Sequence, residues 1–177
     1  MKFTTERLKI RPFKSTDIED VFNIYNNSET CRYLLHDKWT LENMQELFDK
    51  KLENCSLTKE SSLSLAVVES TSVIGDLSVW FTGTKDTVEI GYSFSAQISG
   101  KGYATEAVNQ LVKNLFEEVK VHRIQATLDA RNLASQKLCE RIGMRKEAHF
   151  KQDYWSKGEW TDSIVYGMLV DDLWANL

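Results

Sequence analysis

The chain has 177 residues, 42% apolar and 27% charged, with a formal net charge of −4. That length holds one domain with a sizeable core, and the composition is ordinary for a soluble globular protein. The acidic balance argues against nucleic acid as the main partner, yet leaves room for a local basic pocket holding one anionic ligand. In chain order, RLKIRPF alternates Leu8, Ile10 and Pro12 against Arg7, Lys9 and Arg11, which predicts a half-exposed or edge strand. Thr16 and Glu19 form a T-x-x-E capping box before a helix carrying Ile18, Val21, Phe22 and Tyr25. A second helix fits TLENMQELFDKKL, with Met44, Leu47 and Phe48 on one side and Thr40 as cap.

LSLAVVE and SVIGDLSVWF are predicted strands joined at STS, and GTKDT turns the chain into a third, VEIGYSFS. Beyond a glycine loop, Ala104, Ala107, Val108, Leu111, Val112, Leu115 and Phe116 trace a broad stripe of helical period. VHRIQATLD predicts a strand, and NLASQKLCERIG a short helix with Asn132 as cap and Gly143 just past its end. The tail FKQDYWSKGEWTDSIVYGML reads as a hairpin turning at Ser156 to Glu159. Strands and helices alternate in the second half but strands run as hairpins in the middle. The implied class is α/β (α+β), a mixed sheet in one layer with helices on its faces. No repeat, low-complexity tract or linker divides residues 1–177, so a single domain is expected.

Cys31, Cys55 and Cys139 are odd in number and widely spaced, and His36, His122 and His149 form no ligand pattern with them. Reduced thiols, a cytoplasmic location and no metal are the expectation. MKFTTERLKI lacks the apolar core of a signal peptide, and no window approaches the roughly 18 apolar residues of a membrane span.

The loop between VEIGYSFS and the long helix uses Gly100 and Gly102 around Lys101. A strand ending in such a turn at a helix start leaves N–H groups unpartnered and aligned with the helix dipole, a setting suited to phosphate. A phosphate-binding G-x-x-x-x-G-K-[ST] loop is excluded, because Tyr103 follows Gly102. A dinucleotide fingerprint is opposed by Thr105 at its third glycine position and by the loop's place past mid-chain. Gln97, Gly100 and Gly102 satisfy a third pattern, Q/R-x-x-G-x-G/A. The glycines also have a plain reading as a tight turn.

QISGKGYATEA resembles the pyrophosphate loop of the GNAT N-acetyltransferases. TERLKIRPFKSTD, VEIGYSF, RNLASQKLCERIGM and GEWTDSIVYGML, in that order, resemble the branch that acetylates ribosomal-protein N-termini (RimJ/RimL-like). The resemblance implies a mixed, mostly antiparallel sheet of about six or seven strands with about four helices, splayed at the cofactor site. It implies acetyl-CoA as co-substrate, contacted at Gln97, Gly100, Lys101, Gly102, Tyr103, Ala104 and Thr105. Pantetheine would lie along Phe94, Ser95 and Ala96, with one N–H facing the thioester oxygen.

Glu89, in VEIG, stands where relatives carry a carboxylate that reaches the amine, so it is the candidate base, tuned upward by partial burial. Its other reading is a structural glutamate. The resemblance also gives Ser135 as acid or as a group that orients the sulfur, with Asn132 on the same helix face bonding pantetheine. Asp153 and Tyr154 fall where the branch can carry a catalytic glutamate, and this chain has none there. His36, Asp37 and Trp39 between the first helices, and Tyr154 in the hairpin, are candidates to line the acceptor entrance; Trp39 and Trp155 read equally well as core.

The implied activity is acetyl transfer to a primary amine, either a peptide N-terminus, as of a ribosomal protein, or a small amine. A catalytically silent acyl-CoA-binding module is the alternative. A monomer or homodimer without nucleic-acid or membrane partners is expected.

Overall fold

In the computed structural model, which describes residues 1–174, the run LSLAVVE is a strand covered on both faces. Alternation sends Leu63, Leu65 and Val67 to one core and Ala66 and Val68 to another. A strand buried on both sides reads as a continuous apolar run, and this one does. It is β3 (Leu63–Glu69) of a sheet completed by β1 (Phe3–Thr4), β2 (Leu8–Pro12), β4 (Ser72–Phe81), β5 (Thr87–Phe94), β6 (Arg123–Asp129), β7 (Arg145–Ser156) and β8 (Glu159–Leu169). The eight strands lie in the order β1-β2-β3-β4-β5-β6-β8-β7.

Helices cover both faces. The long helix α4 (Tyr103–Asn114) buries Ala107, Val108, Leu111 and Val112 on the side of Leu65, Leu77 and Ile90. Leu138 and Cys139 of α5 (Leu133–Arg141) join the same core. On the opposite face α1 (Ile18–Tyr25) and α3 (Met44–Glu53) pack Val21, Ile24, Tyr25 and Phe48 near Ala66, Val68 and Val73. Two short helices, α2 (Ser28–Cys31) and α6 (Val170–Trp174), complete the described residues.

The expected fold class is the one found, with one more strand and two more short helices than the pattern indicated. β1 escaped notice because two residues carry no periodicity, and its pairing makes β2 an interior strand. The Thr16–Glu19 capping box does not form. Asp17 holds the start of α1 instead: its carboxylate accepts the Lys14 N–H at 2.7 Å and a fork from Arg11 at 2.7 and 2.9 Å. The second predicted helix begins at Met44, since Asn43 accepts the Thr40 N–H at 2.8 Å and folds residues 40–43 into a turn.

What positions the site is a tear in the sheet. β5 and β6, the one parallel pair among the described residues, are bonded only over Thr87–Glu89 and Arg123–Gln125. β5 then follows β4 to Phe94, while β6 follows β8 to Asp129. The strands part directly after Glu89, and alternate main-chain groups from Gly91 to Phe94 face the gap instead of a neighbouring strand.

Candidate active site

The end of β5 runs through a short turn (Ala96–Ile98) into the glycine loop and α4. Gly100 and Gly102 have φ of 79° and 81°, left-handed values at which a side chain is strained. With Gly102 as N-cap, the first helical bond there is Glu106 N–H to the Gly102 carbonyl at 3.0 Å. The N–H groups of Tyr103, Ala104 and Thr105 therefore point forward without intrahelical acceptors. They edge a cavity of about 880 Å³.

A carboxylate at Glu106 in this first turn would repel a phosphate, but it is neutralised from across the fold. Arg7 donates to Glu106 Oε2 at 2.7 Å through Nε and stacks on the Tyr103 ring at 4.4 Å. Its Nη1 also donates to the Lys101 carbonyl at 2.9 Å, so one arginine braces loop and helix together. Thr5 donates to the same carboxylate. Burial opposes the charge on Glu106, yet these bonds hold its carboxyl below the usual value. On the opposite wall Lys137 and Arg141, one turn apart on α5, line the cavity, and Arg141 donates to Thr105 Oγ1 at 2.9 Å. Arg7, Lys137 and Arg141 did not stand out in the sequence. The spacing of the last two along one helix face was the available signal.

Phe94, Ser95 and Ala96 line the same cavity, as do Gly100, Gly102, Tyr103, Ala104 and Thr105. The Phe94 ring lies over Gly75 of β4 and leaves no room for a Cβ there, which fixes the end of β5. Gln97 and Lys101 are exposed and do not line the cavity. Thr30, on α2, closes the far side with a buried hydroxyl that has no hydrogen-bond partner. That orphan oxygen, the forward-facing N–H groups and the two α5 cations fit a long ligand with phosphates at one end and amides along its length.

A second cavity of about 590 Å³ opens on the other side of the tear. Tyr33, Leu34, Tyr92, Ser93, Asn132 and Ser135 line both, so the two form one passage through the sheet. Ser135 gives its N–H to Asn132 Oδ1 at 3.1 Å, the cap expected for α5, and its carbonyl accepts the Tyr92 hydroxyl at 3.3 Å. Tyr92 also meets Cys139 Sγ at 3.3 Å. Burial pushes the Tyr92 phenol well up and the Cys139 thiol up to about 11, so both keep their protons at neutral pH. Tyr92 is a candidate site residue that the sequence did not single out within VEIGYSFS.

Glu89 lies in the second cavity at the apex of the tear, with Oε2 accepting from Gln125 Nε2 at 2.8 Å. Also on this wall is a cluster the sequence did not announce. Asp76, 2% exposed, accepts from Tyr25 OH at 3.0 Å and Ser78 Oγ at 3.3 Å and is ion-paired with Lys51. Burial works against the Lys51 ammonium, but Asp76 and Tyr25 hold it protonated. His36 and Tyr154 line this cavity, His36 with its ring 5.4 Å from that of Tyr25.

Trp39 corrects its placement as an entrance residue. It is 3% exposed, stacks on Tyr25 at 4.9 Å in the second core, and lines neither cavity. An aromatic of that size gains more by filling the space behind Tyr25 than by standing in solvent.

The fold that carries this passage is shared with known proteins. Residues 7–145 match the model of the acetyltransferase (GNAT) domain. The chain belongs to that family. It is 30% identical over 173 residues to the uncharacterized N-acetyltransferase YnaD of Bacillus subtilis, covering 97% of this chain and 99% of the relative. A GNAT-family acetyltransferase structure from Bacillus anthracis superposes with a TM-score of 0.86 at 31% identity, over 96% of this chain and 98% of that one. Spermidine N-acetyltransferase from Vibrio cholerae, solved with CoA and spermine, shares the fold at a TM-score of 0.79 and 18% identity, over 95% and 98% of the two chains. The matched stretch of this GNAT chain begins at Arg7, the residue that braces the loop, and stops at Arg145, before most of the hairpin that walls the second cavity.

Proposed function

We propose that this N-acetyltransferase takes its acetyl group from acetyl-CoA and passes it to a primary amine that enters from the opposite side of the sheet. The observation that carries this reading is the passage at the β5–β6 tear, with an anion-binding helix start at one end and the Glu89 carboxylate at the other. In this arrangement the Tyr103–Thr105 N–H groups, with Lys137 and Arg141, hold the diphosphate. Main-chain groups of Phe94, Ser95 and Ala96, with Asn132 and Thr30, bond the pantetheine arm. When bound, the thioester supplies an acyl carbon open to attack by an amine.

Glu89 accepts the proton the acceptor nitrogen gives up as the N–C bond forms, directly or through a water. A main-chain N–H at the end of β5 stabilises the oxygen as it gains charge, a contribution typically of about 3–4 kcal/mol. As the C–S bond breaks, Ser135 orients the departing sulfur, which takes its proton from the Tyr92 hydroxyl beside the Ser135 carbonyl; solvent then returns a proton to Tyr92 and takes one from Glu89. Each group has one task, and the three demands of amide formation are met.

The order of segments resembling the ribosomal-protein branch favours a peptide N-terminus as acceptor, and the second cavity is also of a size for a small amine. The test is calorimetry with acetyl-CoA together with release of free CoA thiol in the presence of amines and N-terminal peptides. Micromolar binding with amine-dependent thiol release supports transfer. Tight binding with no release for any acceptor supports the silent module instead. Absence of binding removes both.

A further inference from the structure

The second cavity is lined by four carboxylates, Asp76, Glu89, Asp129 and Glu159, and four permanent cations, Arg32, Lys51, Arg131 and Lys157. Their pairing is uneven. Asp76 is paired with Lys51, and Arg131 takes both Asp129 and Glu159 at 2.7 Å. Among the lining carboxylates this leaves Glu89 without a cation, its oxygen bonded only to the neutral Gln125 amide.

Among the cations it leaves Arg32 and Lys157 without a carboxylate from the described residues. Arg32 rests on the Tyr33 ring, 5.2 Å from its centroid, while the neutralised Arg131 lies 5.9 Å from the same ring. Lys157, in the β7–β8 turn, donates to the Cys31 carbonyl and so ties the hairpin tip to α2, one residue from Arg32. Unbalanced charge is therefore sorted within the cavity. One anion stands at the tear, and two cations stand where the 31–36 segment meets the hairpin.

We propose that the acceptor is a primary amine carrying an anionic group, its amine at Glu89 and its carboxylate at Arg32 and Lys157. This rests on the acetyl-transfer reading and narrows it. A polyamine fits poorly: one ammonium satisfies Glu89, and the others find the remaining carboxylates already occupied and two free cations opposing them. A free amino acid and a peptide whose second or third residue is acidic share the required chemistry. Arg32 and Lys157 act on acceptor selection, since neither lines the larger cavity.

The experiment is calorimetry of the full chain, with and without CoA. The probes are L-glutamate, L-alanine and their C-terminal amides, the peptides Ala-Glu-Glu and Ala-Lys-Lys, and spermidine. Expected is about tenfold tighter binding of anionic probes than of their neutral or cationic counterparts, the size of one partly exposed charge-assisted contact. Which anionic probe binds best separates the amino acid from the peptide. Arg32→Gln should erase the preference without changing acetyl-CoA affinity, and Arg32→Glu should shift it toward spermidine; Arg32 is exposed, so both variants fold. Equal binding of acids and amides, or tightest binding of spermidine or Ala-Lys-Lys to the wild-type chain, overturns the proposal. A charge preference in binding, with no CoA thiol released from acetyl-CoA by any probe, keeps the anion-selecting cavity and counts against transfer instead.

Discussion

The two ends of the passage are built differently. The phosphate end of the larger cavity is shaped by main chain from one stretch of sequence: the free edge of β5, two left-handed glycines and a helix start, with side chains of α5 added on the far wall. The smaller one is shaped by side chains from α1, α3, β4, β5, β6 and the β7–β8 hairpin, joined by ion pairs that span up to 28 positions. Main-chain recognition suits the proposed acetyl-CoA, whose diphosphate needs only N–H groups, whereas a side-chain wall can vary without disturbing it. Substitutions on the two sides should therefore fail in different ways.

The largest effect is expected on the main-chain side. Gly102→Glu puts a side chain at a φ of 81° and a negative charge beside the proposed diphosphate site. Acetyl-CoA affinity should fall at least about a hundredfold by calorimetry, with an unchanged circular dichroism spectrum; normal binding would move the phosphate site elsewhere. Next comes the apex. Glu89→Gln should lower kcat by roughly a hundredfold or more with acetyl-CoA affinity intact, and an unchanged pH–rate profile would remove Glu89 as base. Tyr92→Phe should lower kcat by about tenfold, because proton delivery to the sulfur is then left to Ser135 or water. If Ser135→Ala has the larger effect, the proton comes from the serine.

On the side-chain wall the signature is stability. Lys51→Met leaves Asp76 charged and buried and should cost about 3–5 kcal/mol in urea unfolding, while the double variant Lys51→Met/Asp76→Leu should recover much of that. The smallest effect concerns acid. Burial raises the Asp17 carboxyl, but Arg11 and the Lys14 N–H more than offset it and hold the folded value below the ordinary 3.8. The stability Asp17 contributes is thus present above pH 3.8 and lost as pH falls through the lower folded value. Asp17→Asn should flatten that part of the stability-versus-pH curve and leave neutral pH activity alone.

Much of the fold was legible because its cues are local. LSLAVVE and the stripe from Ala104 to Phe116 carry their periods in a few adjacent residues, and Asn132 caps the helix that it precedes. Failures came where a contact outside the element's own periodicity decided the outcome. Asp17 displaced the Thr16 box because Arg11 reaches it, and Trp39 went inward because Tyr25 offered a ring to stack on.

The amino-acid order alone determined the longer elements, the glycine turn and the family they resemble, since propensity and periodicity act over one or two turns of chain. Only the tertiary structure decided where β5 and β6 part, and which charges around the smaller cavity are cancelled and which are left over. Coulomb attraction depends on distance in space, and Lys51 meets Asp76, as Arg131 meets Glu159, only after the sheet has brought them together.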